Sequence, residues 1–82
     1  MATAKNIYKA SFTLNCPIGN EKIYYKLQII AAHKIMVEQI NQVIETFNGK
    51  GLHEDVADKM QLLGGKQKIT ATHQGVKIKT SR

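Results

Sequence analysis

Apolar and polar residues alternate over three stretches of this chain, and the period changes between them. From Asn6 to Leu14, the residues Tyr8, Ala10, Phe12 and Leu14 share one phase. Lys9, Ser11 and Thr13 take the other, with Ile7 as the exception. A period of two predicts a half-buried strand. The run Asn15-Cys16-Pro17-Ile18-Gly19-Asn20 ends it, because proline removes a donor and glycine permits positive φ. From Lys22 the alternation restarts, with Ile23, Tyr25, Leu27 and Ile29 on one side and Lys22, Tyr24, Lys26 and Gln28 on the other. The first two strands therefore make a hairpin, with a loop of about six residues.

The spacing then becomes helical. Met36, Ile40, Val43, Ile44 and Phe47 trace one face of an amphipathic helix that begins near His33. Glu38, Asn41, Gln42 and Glu45 occupy the opposite face. Its start lacks a good capping side chain, and Asn48-Gly49 supplies the left-handed stop. A second helix is predicted over His53 to Leu63. Leu52, Val56, Met60 and Leu63 form its apolar stripe, and Glu54 and Asp55 complement the positive end of its dipole. Leu52 and Val56 are placed to staple its start, and Gly64-Gly65 ends it.

In the last segment Ile69, Ala71 and His73 alternate with Lys68, Thr70 and Thr72, and Val76, Ile78 and Thr80 alternate with Lys77 and Lys79. A two-residue loop at Gln74-Gly75 pairs His73 with Val76, Ala71 with Ile78 and Ile69 with Thr80. A slip of one residue would set apolar side chains against lysines. The predicted fold is α+β in the order ββααββ: a four-stranded antiparallel sheet with two helices packed on one face and a basic open face. It forms one domain over residues 1–82. This order is similar to that of the tunnelling fold of pterin-handling enzymes, although no active-site motif of that family is visible. A winged helix is the alternative, but Glu54, Asp55 and Asp58 would set its reading helix against phosphates.

Charge sharpens the picture. The net charge is +6, and it is unevenly spread. Residues 1–32 carry +3, residues 33–63 carry −2 and residues 64–82 carry +5. Eight of the eleven lysines fall on the phase opposite the apolar residues: Lys5, Lys9, Lys22, Lys26, Lys66, Lys68, Lys77 and Lys79. With Tyr24 they are the candidate nucleic-acid-binding residues. Ammonium groups on an open sheet suit phosphates, with affinity that falls as salt rises. Lysine is also a common solvent-facing strand residue that guards edges. Glu21 is the one acid expected near this face. Base reading has little to work with, since the other aromatics are assigned to the core and the single arginine, Arg82, is terminal.

Other chemistry is sparse. His33, His53 and His73 stand far apart, none at a metal-ligand spacing with another or with Cys16, so no metal site is expected. Cys16 has no local base and reads as a buried or half-exposed loop thiol. Gly49-Lys50-Gly51 and Gly64-Gly65-Lys66 lack full phosphate-loop spacing. No catalytic residue and no cofactor is expected, and the chain reads as non-enzymatic. One cysteine and the lack of a leader-like or membrane-length apolar run point to a cytoplasmic protein with no membrane contact. A core this small favours a homodimer. The first functional expectation is a small basic protein that contacts nucleic-acid backbone. The alternative is an interaction module docking on an acidic or nucleoprotein partner, of the kind of a phage or plasmid inhibitor of host defence. An enzyme subunit with sites built between chains comes third.

Overall fold

Alternating side chains fold the first half of the chain into two ten-residue strands, β1 (Asn6–Asn15) and β2 (Lys22–Ala31). The structure, a computed structural model, describes residues 5–82. Two helices follow, α1 (Val37–Glu45) and α2 (His53–Met60), then a 3-10 turn over Gln61–Leu63. Strands β3 (Lys66–His73) and β4 (Val76–Ser81) complete a four-stranded antiparallel sheet in the order β1-β2-β3-β4. The ββααββ expectation holds, and the winged-helix alternative does not.

Phase decides the faces, as expected. Leu14, Ile23, Tyr25, Leu27, Ile29, Ile69 and Ala71 are buried beneath the helices with Ile40, Val56, Ala57 and Met60. The last hairpin has the predicted pairing, His73 with Val76, Ala71 with Ile78 and Ile69 with Thr80. Its turn residues Gln74 and Gly75 both have positive φ, 52° and 79°, the geometry that matches the twist of the flanking strands. Gly65 carries the other demanding backbone. At φ +77° a Cβ there would lie 2.7 Å from the Ile30 carbonyl, where the chain turns from the helices back to the sheet.

Three expectations need correction, and one buried residue was not foreseen. The first helix begins at Val37, so Met36 stands at its cap, exposed, and Ile35 enters the core in its place. The Met36 N–H donates to Gln39 Oε1 at 2.8 Å, which stands in for the missing capping side chain. The second helix tightens to 3-10 geometry after Met60, so it does not run to Leu63, and Leu52 of the expected stripe is 41% exposed. Val76 and Ile78 lie on the core phase of β4 yet remain 60% and 42% exposed, because α2 meets β4 at Thr80, through His53, and leaves the hairpin end uncovered. Gln67, flanked by lysines in sequence, is buried. Its amide donates to the carbonyls of Met60 at 2.6 Å and Gly64 at 2.9 Å, satisfying groups that a helix end leaves unpaired.

Candidate functional site

The open face is built row by row from the strand registers. Lys9, Gln28, Lys68 and Ser81 lie side by side across the sheet. The next row is Ser11, Lys26, Thr70 and Lys79, and the next Thr13, Tyr24, Thr72 and Lys77. Lys66 follows Ile7 and Ile30, and Lys22 stands opposite Asn15. Lys5 precedes β1 in the same phase and is exposed. No lysine is directly opposite another. Each lysine within a row is separated from the next by a neutral strand, about 10 Å for two strand spacings. The face therefore holds its charge without acids, where directly opposed lysines would be destabilising.

This arrangement bends into a track. A trough of about 570 Å³ is lined by Lys9, Lys26, Lys68 and Lys79, with Ser11, Thr70, Ser81 and Gln28 between them. A smaller hollow shares Ser11, Lys26 and Thr70 with it and continues to Tyr24, Thr72 and Lys77. Tyr24 is 58% exposed, so its ring is free to meet a ligand. The hydroxyls add neutral donors and acceptors at the spacing of the strands. Of the nine candidate residues, Lys9, Tyr24, Lys26, Lys68, Lys77 and Lys79 line these two hollows, while Lys22 and Lys66 share their strand phase and Lys5 precedes β1.

The acids are elsewhere. Glu38 and Glu45 are on α1, and Glu54, Asp55 and Asp58 are on α2. Asp58 bonds Arg82 on that side. Glu21 was expected near the lysine face and lies in the opposite phase, where its Oε2 is 3.3 Å from His73 Nε2. The lysine face therefore carries no acid among the described residues.

That His73–Glu21 contact belongs to a cluster that reading along the chain missed. Ligand-type atoms of Cys16, Glu21 and His73 all lie within 4.8 Å of one another. The β1–β2 loop is closed by the Cys16 N–H donating to the Glu21 carbonyl at 2.7 Å, and the Asn20 N–H donating to the Cys16 carbonyl at 2.8 Å. His73 ends β3 opposite Ile23, which brings it over that loop. Cys16 is buried, one of the two settings expected of a loop thiol, but it has an imidazole and a carboxylate beside it. A thiol so placed has the partners that nucleophilic or metal-binding cysteines use. The available signal was phase, since Glu21, Ile23 and His73 all fall on the helical side once β2 is paired with β3.

A buried tyrosine and a half-buried histidine border this end of the core. Tyr25 stacks on Phe12, with ring centroids 5.1 Å apart, and its hydroxyl donates to the Gly51 carbonyl at 3.2 Å. Burial first, then the neighbouring Cys16 and Asp55, push its phenol up to about 12. His53 bonds Thr80, and its Nδ1 is buried without a partner. Burial lowers its pKa from the ordinary value, Glu54 opposes the shift and Arg82 adds to it. His33 Nε2 donates to the Leu63 carbonyl at 3.0 Å, away from both clusters.

Fold and surface together define a small open-faced α+β protein, antiparallel, with helices on one side and lysines on the other. No helix among the described residues is long and apolar enough to cross a membrane. The fold is similar to that in a crystal structure of the archaeosine synthase QueF-Like in its apo form. The two share 17% identity with a TM-score of 0.60, over 100% of this chain and 94% of that one. At that identity the likeness shows the fold alone. No family model and no curated protein matches the chain.

Proposed function

We propose that the protein binds the sugar–phosphate backbone of nucleic acid along the track on its open sheet face. The observation that carries this reading is segregation of charge. Eight lysines stand on or in phase with one face, while the four other basic residues and all six acids stand outside it. Solubility alone does not call for such sorting, and a polarised surface steers polyanions. Lys9, Lys26, Lys68 and Lys79 contact phosphates, the hydroxyls between them fix the strand, and Tyr24 stacks on a base. One arginine, engaged with Asp58, leaves no bidentate reader of base edges, so recognition is of backbone rather than sequence. Fluorescence anisotropy with a labelled single-stranded oligonucleotide tests this. Binding at low salt that disappears when the four trough lysines become glutamine supports it; no binding at low salt refutes it. Capture of an acidic protein partner that survives nuclease treatment would assign the face to protein docking instead.

A second reading is favoured by one observation, the meeting of Cys16 and Glu21 of the β1–β2 loop with His73 at the end of β3. With a neighbour named a synthase, it supports an enzyme subunit whose chemistry lies at the β1–β2 end of the sheet. Its test is chemical reactivity of Cys16 that depends on His73. The expected homodimer has support in Val76 and Ile78, the apolar pair that the helices leave uncovered.

A further inference from the structure

The Cys16–Glu21–His73 cluster combines a thiol, a carboxylate and an imidazole, a donor set that matches a borderline-soft divalent cation better than a hard one. Hard cations take oxygen shells, and only one of these three donors is oxygen. The geometry points the same way. The His73 Nε2 to Glu21 Oε2 distance is 3.3 Å, longer than the 2.7–2.9 Å usual for a charge-assisted bond of this type. It equals the nitrogen–oxygen edge of a zinc tetrahedron, about 3.3 Å for bonds of about 2.0 Å. The sulfur edges of the same tetrahedron are about 3.6 Å, and the donor atoms lie within 4.8 Å, so a shift of roughly an ångström at most completes the set.

The loop is built to hold this arrangement. Its two internal backbone bonds set Cys16 and Glu21 on one side of a closed turn. The Glu21 carboxylate lies over Gly19, where a Cβ would collide with it. Cys16 is buried, whereas the side chains of His73 and Glu21 are 29% and 44% exposed, so the fourth corner opens outward. Three protein ligands and an open position are the pattern of sites that bind water or substrate.

We propose that Cys16, Glu21 and His73 form a three-ligand site for a zinc-class divalent cation, with its fourth position open to solvent. This deepens the second reading above and rests on it. Binding converts the Cys16 thiol to a metal thiolate, its proton passing to solvent.

The test uses the full chain, freed of metal by chelator and titrated with cobalt(II). One equivalent should give a near-ultraviolet thiolate-to-cobalt band that zinc(II) displaces. Cys16→Ser should abolish the band, and His73→Gln and Glu21→Gln should each weaken binding about tenfold or more. Circular dichroism and retained oligonucleotide binding show that the variants fold. Absence of the band in the wild type, or a band of equal affinity in His73→Gln and Glu21→Gln, overturns the metal site. If the band is absent but iodoacetamide alkylates Cys16 faster in the wild type than in His73→Gln, the metal fails and the enzyme reading stands. If neither the band nor that rate difference is seen, both fail.

Discussion

Replacing Lys26 and Lys68 with glutamine removes two of the four ammonium groups that line the central trough. They sit on adjacent strands, diagonal to one another, since Lys26 is opposite Thr70 and Lys68 opposite Gln28. Both are solvent-facing, so the double variant should keep its stability to within about 0.5 kcal/mol per site. Its salt dependence should change sharply. If each trough lysine neutralises one phosphate of a single strand, four contacts give a slope of about −2.8 in log K against log salt. Between 50 and 200 mM salt, affinity then falls roughly 50-fold. With two contacts left, the slope is about −1.4 and the fall roughly sevenfold. Anisotropy titrations across that range measure both. The matched control is Lys34→Gln with Lys50→Gln, which changes net charge equally but lies outside the sheet face. An unchanged slope in the trough variant refutes the reasoning. So does an equal loss in the control, because net charge rather than the track would then govern binding.

Other outcomes follow from the core and its ionisable groups. His53 is held below its ordinary pKa of 6.5, so the unfolded chain takes up the proton first; stability should fall as pH drops below about 6.5. Urea midpoints from pH 7.5 to 5 should show this, with the dependence weakened in His53→Gln. Tyr25 should ionise only near pH 12, and ultraviolet titration should lose that late phase in Tyr25→Phe. Gly65→Ala should cost at least ~1 kcal/mol, since it forces alanine to positive φ against a backbone carbonyl; an unchanged denaturation midpoint would contradict the turn geometry. Ile29→Ala should cost about 2–5 kcal/mol, while Ile78→Ala, on the same phase but 42% exposed, should cost well under half as much. Equal losses would mean that β4 is covered in solution.

Strands, faces and both hairpins were legible because they depend on local rules. Side chains alternate along a strand whatever packs on it, and a two-residue turn admits one register between Ile69 and Thr80 that keeps apolar residues together. The lysine face follows from the same alternation, so its residues could be named in advance. The helix limits were less legible. Met36 is adjacent to Ile35 in sequence, but Ile35, whose N–H donates to the Tyr8 hydroxyl of β1, is the one buried.

What the chain alone determined is therefore the period of each segment and the side of the sheet on which each charge stands. Tertiary structure decided everything that needed two distant segments to meet. The pairing of β2 with β3 set lysines against neutral neighbours and brought His73 to Glu21, 52 residues away. The reach of two short helices left Val76 and Ile78 uncovered. The physical reason is that alternation is a property of one strand's own backbone. Opposition across strands, coverage by helices and the gathering of Cys16 with its partners depend on the path of the whole chain.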